Sequence, residues 1–509
     1  MFAKINSLGL FGLNAFPVEV ETDISKGQPM FEVIGLPDLA VKESRERIKS
    51  AMRSCDIAFP IARVTINLAP ADTKKCGSVH DLAMLISIVK AMGIVNISLD
   101  DCCFIGEVSL SGAVRSVNGV LPMTILAEKL GMKSIFVPYD NAYEASVVEG
   151  IDVYGVKSVD DLLNHLYGTE LIPIQPEYIP SEHNNSGFPD FADVKGQFNA
   201  KHALEVAAAG GHNALLIGSP GCGKSMLAKR VPSILPAMTF EESIQTTNIY
   251  SISGMTDKDN PLVTVRPFRA PHHTISAAGL AGGGTIPHPG EISLAHNGVL
   301  FLDELAEFDR RTLEILRQPV EDRQVTVSRA AGTVTYPCSI MLIGAMNPCP
   351  CGYFGHPKHQ CTCHKGVMAK YLSKISGPML DRFDLHIEVA PVEFESLSSD
   401  VKEESSAVIR QRVQKAREIQ NERYKNTDIS CNAQISASKL NEFCIMDNQA
   451  LNTIKNIFDK LGLSVRAYSR ILKVARTIAD LEGDEIIRKS HIAQASQFRT
   501  LDRKYWQND

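Results

Sequence analysis

The sequence predicts a multidomain α/β protein with a parallel sheet at its centre, a mixed α+β region before it and a helical region after it. Three observations carry that reading. A short apolar run, Ala214-Leu215-Leu216-Ile217, leads directly into Gly218-Ser219-Pro220-Gly221-Cys222-Gly223-Lys224-Ser225 and then into a helix start at Met226–Val231. From about Phe191 to Val392, buried-type strands alternate with helices, the order of a parallel sheet. From Glu393 onward strand signals fade and amphipathic helices take over, such as Arg466–Glu482 with Ile471, Val474, Ala475 and Ile478 on one face.

Length supports several domains, since 509 residues exceed one ordinary core. The expected division is 1–170, a linker at 171–190, a central domain at 191–392 and a helical lid at 393–509. The first region mixes strands (Val64–Leu68, Ser134–Val137) with helices (Val41–Cys55, Asp81–Met92) whose apolar residues recur every three or four positions. The linker is marked by Pro173, Pro176, Pro180, Asn184 and Asn185.

Composition narrows the class. Hydrophobic residues make up 44% and charged residues 22%, the profile of a globular protein, and the net charge of -6 gives no overall pull towards nucleic acid. Any DNA contact has to come from a local basic surface. No apolar run reaches membrane-spanning length, and Met1–Val20 has neither the basic start nor the cleavage site of a signal peptide. Twelve cysteines in so long a chain fit no small secreted framework, so the expected setting is a reducing cytoplasm.

The glycine loop is a phosphate cradle. Its glycines let backbone N–H groups face phosphate oxygens, Lys224 would reach the β- and γ-phosphates, and Ser225 would ligate magnesium. Gly298-Val299-Leu300-Phe301-Leu302-Asp303-Glu304 is an apolar strand ending in two carboxylates. Asp303 fits the acid that positions magnesium, and Glu304 the base that polarises attacking water. A third strand, Ser339–Ile343, leads to Asn347, a polar tip able to orient water against a γ-phosphate. A solvated turn would also end a strand in two acids; the loop beside it favours the chemical reading.

Two further features are open. Cys349-Pro350-Cys351 and Cys361-Thr362-Cys363 are tight pairs nine residues apart. Four thiolates can close a tetrahedral zinc shell, with His356, His359 and His364 nearby as substitutes; the alternative is four reduced thiols in a loop. Between Ser225 and Asp303 lie about eighty residues, far more than an ordinary α/β connection. They include the glycine-rich stretch Ala278–Thr285, expected to be a mobile tip. Arg323–Val327 and Thr333–Tyr336 read as a hairpin around Arg329.

Phe191-Ala192-Asp193-Val194-Lys195-Gly196-Gln197, Arg266–Thr274, Asn347–Gly352, Ser376–Arg382 and Arg466–Leu472 carry a family likeness. Together with the phosphate loop they resemble the magnesium-chelatase-like branch of AAA+ ATPases, and more narrowly the bacterial ComM/YifB family, over the whole chain. The resemblance implies a homo-hexameric ring with ATP at subunit interfaces, Arg382 acting across the interface and Arg466 sensing phosphate. It implies a DNA motor, a helicase driving branch migration of recombination intermediates as in natural transformation. Relatives point such inserts into the ring channel, which makes Arg329 the candidate DNA contact, against the plainer reading of a solvated hairpin tip. Chelatase relatives instead use ATP for metal insertion through partner subunits, and are expected to lack the front domain.

That front domain resembles the proteolytic domain of Lon-type proteases through Lys74–His80, Gly106–Gly112 and Val117–Leu121. A serine–lysine dyad needs the lysine as base. Leu121 occupies the lysine position, Val79 the nucleophile position beside Ser78, and Lys129 lies too far along. A non-proteolytic domain is expected.

Overall fold

The computed structural model describes residues 1–179, 187–285, 287–330, 332–392 and 403–506. Pro180, Asn184 and Asn185 of the proline-rich stretch, Ala331 of the hairpin and the start of the helical region at 393–402 lie outside the described residues. The chain forms two compact units, Met1–Glu182 with Phe240–Thr264, and His183–Thr239 with Val265–Asp509.

The first unit holds a seven-stranded mixed sheet in the order Met30–Ile34, Arg63–Ala69, Asn14–Ser25, Phe2–Phe11, Cys102–Phe104, Ser134–Pro138, Asp152–Val156. Alternation makes it amphipathic: Val18, Val20, Thr22 and Ile24 are buried while their neighbours are half-buried or exposed. The helix Leu39–Ser54 starts where Asp38 accepts the Val41 N–H at 2.8 Å, and it buries Val41, Ile48, Ala51 and Met52. The helix Asp81–Ala91 is buried on nearly every side, so its apolar spacing marks a core helix with little exposed face. The segment Phe240–Thr264, which follows the phosphate loop in sequence, also belongs to this unit. Its helix Phe240–Ile252 buries hydroxyls more than hydrocarbon. Thr246 and Thr247 donate to the carbonyls of Glu242 and Ser243, and Ser251 donates to the buried carboxylate of Glu144.

The second unit carries a five-stranded, wholly parallel sheet in the order Phe268–Arg269, Val299–Leu302, Met341–Met346, Ala214–Gly218, Leu385–Val389. Val299–Leu302, Met341–Met346 and Ala214–Gly218 are buried at every position, which is why they read as unbroken apolar runs. Met341–Met346 starts two residues later than the sequence suggests and runs up to Asn347. The chain builds the sheet on one side of Ala214–Gly218 and then crosses to its other side at Leu385–Val389, and the carboxyl end at such a reversal is the usual ligand position. The helical C-terminal part packs its apolar faces into the same core. Val465–Glu482 opens under a Ser464 cap, ends at Gly483 in the left-handed region (φ 76°), and buries Ile471, Leu472, Val474, Ala475 and Ile478.

Asn213 gathers the lower ends of three strands. Its side chain accepts the Leu342 N–H at 2.7 Å and donates to the Arg382 carbonyl at 2.9 Å, while its backbone N–H donates to Asp384 Oδ2 at 3.1 Å. Asp384 also faces His212 Nδ1 and Arg470 Nε, each at 3.5 Å. Burial alone would raise the Asp384 carboxyl, but His212, Arg470 and Lys473 outweigh it and bring it down to about 2. A carboxyl depressed in the folded state stabilises the fold above its unfolded value and loses that contribution as pH falls through the folded one. Asp384→Asn is therefore expected to lower the urea midpoint at neutral pH and to flatten its fall between about pH 4 and pH 2. An unchanged acid limb in the variant would refute this assignment.

Candidate functional site

The phosphate loop is shaped by its glycines. Gly221 (φ 76°) and Gly223 (φ 98°) stand in the left-handed region, where a side chain is strained. A Cβ on Gly218 would come within 2.4 Å of the Val389 carbonyl oxygen, so the loop can leave its strand only at a residue without one. The helix that follows is short: Lys224–Ala228, then a separate turn Val231–Ile234, in place of one run from Met226. Ser219 and Pro220 complete the outer arc. Cys222 turns its thiol inwards, leaving its backbone to the loop, and burial pushes that thiol above its ordinary value. Gln197 Nε2 braces the loop from behind by donating to the carbonyls of Cys222 (3.2 Å) and Ala390 (2.6 Å). Reasoning from spacing missed Gln197, because a lone glutamine before a helix carries no signal outside a family motif.

Lys224 and Ser225 link this loop to the ends of the next two strands on one side, Met341–Met346 and Val299–Leu302. The ammonium of Lys224 donates to Gly218 O (2.8 Å), Ser219 O (2.9 Å) and Asn347 Oδ1 (3.1 Å). Burial lowers its pKa against the pull of Cys222, Asp303 and Glu304. Ser225 Oγ donates to Asp303 Oδ2 at 2.6 Å. An alcohol and a carboxylate this close form a donor pair for a hard, oxygen-seeking divalent cation. Glu304 departs from the strand in the left-handed region (φ 52°), which a side chain enters only at some cost. Its carboxylate stays exposed, with His273 Nδ1 3.5 Å from Oε2. Lys224, Ser225, Asp303, Glu304 and Asn347 thus stand at the carboxyl ends of adjacent parallel strands.

Arg382 and Arg466 stand apart from that group. The Arg382 guanidinium bonds Glu321 and, through Nε, the Arg317 carbonyl at 3.2 Å. Arg466 is exposed and lies 3.7 Å from Asp381, whereas Arg470, one turn on, is mostly buried between Asp381 and Asp384. Among the described residues, neither Arg382 nor Arg466 makes a polar contact with the phosphate loop.

The four cysteines converge. Cys349 Sγ lies 3.4 Å from Cys351 Sγ and 3.7 Å from Cys361 Sγ, Cys351 and Cys361 are 3.6 Å apart, and all four sulfurs lie within 4.8 Å of one another. Thiolates tetrahedral about zinc at about 2.3 Å are spaced by about 3.8 Å, so this cage is of the right size for one ion. Backbone N–H groups of Phe354 and Cys351 point at Cys349 Sγ and Cys363 Sγ at 3.3 and 3.4 Å. His356, His359 and His364 are not part of this four-sulfur group.

The inserts are more ordered in shape than a glycine-rich tip suggests. Ser276 caps a short helix, Ala277–Ala281, and Gly282–Gly283 pairs with His288–Pro289. Gln324–Arg329 and Gly332–Pro337 form the expected hairpin, and buried Tyr336 donates its hydroxyl to the Pro287 carbonyl at 2.7 Å. Arg329 is exposed at the hairpin end, its Nη1 on the Ser328 carbonyl. In the first unit, Ser78 donates to Glu107, Lys129 is exposed at the end of its helix, and Leu121 is buried with its N–H on Glu144.

A glycine loop with its lysine, a neighbouring strand closing in Asp303-Glu304, and Asn347 between them on a parallel five-stranded sheet define a P-loop ATPase of the AAA+ type. Sequence models for magnesium chelatase, subunit ChlI, match residues 190–397, 20–141 and, for its C-terminal part, 403–499. The competence protein ComM of Haemophilus influenzae is 42% identical over 506 residues, 98% of each chain. YifB of Escherichia coli is 40% identical over 502 residues, 98% of this chain and 97% of its own. The Lon protease of Acinetobacter baumannii is 27% identical over 175 residues, 31% of this chain and 21% of its own. The chain belongs to the ComM/YifB family of magnesium-chelatase-like AAA+ proteins. No described helix is long and apolar enough to cross a membrane.

Tyr336→Phe removes the donor to Pro287 and leaves that buried carbonyl unmatched. The expected cost is about 1 kcal/mol in a denaturant melt. A variant as stable as the parent would mean that the hairpin does not hold the glycine insert through this bond.

Proposed function

We propose that the protein is a ring-forming ATPase that moves along or remodels DNA, and that the strand-end group built on Lys224 is its hydrolytic site. The observation that carries the reading is the pair of contacts Lys224–Asn347 and Ser225–Asp303, which gather three strand ends around one loop. Backbone N–H groups from Gly218 to Ser225 would face the phosphates of ATP, with Lys224 as their cation. Ser225 and Asp303 would hold magnesium, which when bound neutralises phosphate charge. Glu304 would take a proton from the attacking water, His273 holding its carboxylate, and Asn347 would orient that water. Arg382, held by Glu321 at some remove, fits a group that serves a neighbouring subunit in a homo-hexamer, and Arg466 is exposed enough to meet phosphate from the lid side. Arg329 is the candidate DNA contact, standing on a hairpin that the insert braces. The name of the Haemophilus relative, a competence protein, favours DNA processing, and twelve cysteines outside any disulfide fit a reducing cytoplasm.

The four cysteines fit a structural zinc ion by sulfur spacing. The domain boundaries along the sequence are proposed as 1–170, 171–190, 191–392 and 393–509, with Phe240–Thr264 packing into the first unit, and the first domain is non-proteolytic because Ser78 faces a carboxylate instead of a lysine. A chelatase-type role, remodelling a partner protein, is favoured by the ChlI matches, which also reach residues 20–141. The front region therefore does not separate the two readings.

Turnover assays separate them. Glu304→Gln is expected to slow hydrolysis by about 100-fold or more while nucleotide still binds. Four-way-junction DNA is expected to stimulate the parent; neither binding nor stimulation by DNA would sink the motor reading and leave the ATPase. Arg382→Ala is expected to be inactive alone, by about 1,000-fold if it acts on the transferring phosphate. Mixed with Glu304→Gln protein it should recover part of the activity, because some interfaces then carry both native groups. No recovery in mixtures would rule out action across the interface.

A further inference from the structure

The cysteine cluster is built into the wall of the phosphate loop. It begins two residues after Asn347, whose side chain accepts the Lys224 ammonium. Its first turn closes with the Gly352 N–H on the Cys349 carbonyl at 2.9 Å, and Gly352 is in the left-handed region (φ 84°). A Cβ at Gly352 would come within 2.4 Å of Pro220 Cδ and 2.6 Å of Cγ, so the turn rests directly on the outer arc of the loop. The far side of the same segment meets the last helix, Leu501–Trp506: the rings of Phe354 and Tyr505 lie 6.0 Å apart, and Gly355 faces the Lys504 side chain. A segment of two prolines, two glycines and four sulfurs has little apolar surface with which to hold that position. Four sulfurs within 4.8 Å of one another, three of them 3.4 to 3.7 Å apart, with two backbone N–H groups directed at the group, supply the alternative.

We infer that Cys349, Cys351, Cys361 and Cys363 bind one zinc ion, and that this ion sets nucleotide affinity by holding Gly352 against Pro220 and Asn347 against Lys224. The inference rests on the nucleotide reading above and adds a control to it. Zinc fixes the Cys349–Gly352 turn, the turn fixes the arc at Pro220, and the arc presents its N–H groups at one spacing. Loss of the ion frees the turn, and the cradle loses its shape while the sheet beneath it stays folded.

The test uses the full chain, purified under reducing conditions without added metal, with metal content by mass spectrometry and affinity by titration with a fluorescent ATP analogue. The parent is expected to hold close to one zinc per chain. Cys361→Ser should lose the zinc and weaken the analogue by about tenfold or more with an unchanged circular-dichroism spectrum. Gly352→Ala guards against a folding artefact: it keeps all four thiols and the zinc, yet its Cβ pushes on Pro220, so affinity should fall by about tenfold with full metal. Parent protein without zinc, or with iron in its place, overturns the metal assignment. Zinc-free Cys361→Ser, or zinc-loaded Gly352→Ala, binding as the parent does overturns the coupling. A zinc-loaded parent that binds no nucleotide overturns the coupling together with the ATPase reading, while its metal content still upholds the four-thiolate site.

Discussion

A lysine ammonium drawn partly out of water must find oxygen on several sides, and much of the second unit is arranged to give Lys224 that surrounding. Two of its acceptors are carbonyls of its own loop, available only because Gly221 and Gly223 take the left-handed region and turn the loop back over the side chain. The third is Asn347, which stands on the adjacent strand because the order of the sheet puts Met341–Met346 beside Ala214–Gly218. The next strand over delivers Asp303 to Ser225. Parallel strands are what make this work: every carboxyl end lies on one edge, so residues more than a hundred positions apart meet. Asn213 performs the matching task at the opposite edge, fixing the register on which these meetings depend.

Sequence reading found the parts of this site that depend on local pattern. The phosphate loop, the apolar strand before Asp303-Glu304 and the amphipathic helix ending at Gly483 each leave a periodic or glycine signature. Other parts depend on what approaches from elsewhere. Gln197 behind the loop and His273 beside Glu304 are ordinary residues until the fold brings them in. Asp384 with His212 and Arg470 is a buried polar junction of the same kind, invisible to hydrophobic patterning. The stretch Ala278–Thr285 has a glycine content that predicts a mobile tip, since glycine favours open chain. Its first half is helical instead, because Ser276 supplies a cap and Leu280 has a core to enter. Spacing alone also left the four cysteines ambiguous, whereas three-dimensional convergence of the sulfurs is a far more selective criterion than any C-x-C pattern.

The two arginines illustrate a different limit. Nothing in one chain explains why Arg382 should be held by Glu321 away from the phosphate loop, or why Arg466 should stand in solvent while Arg470 is enclosed. On the proposed reading the counterparts of both groups belong to another copy, and one chain holds half of such an arrangement. The Lon-like first unit shows the reverse. The hydroxyl beside its nucleophile position donates to Glu107, which fits the proposal that the domain lacks dyad chemistry.

The segment Phe240–Thr264 has a bearing on how the chain could have been assembled. It departs from the nucleotide-binding unit after Thr239, completes the first unit by offering Ser251 to Glu144 and Leu262 to Leu121, and returns at Val265. The backbone therefore passes between the units three times, once in the proline-rich stretch and twice around this excursion. A single cut cannot part them: a piece beginning at residue 183 would carry a polar-faced helix whose acceptor had been left behind. Exchange of the front unit for another by simple end-to-end fusion would leave the same orphan. Separating the two units therefore takes a cut at each of these passages, with the excursion kept on the side of the first unit.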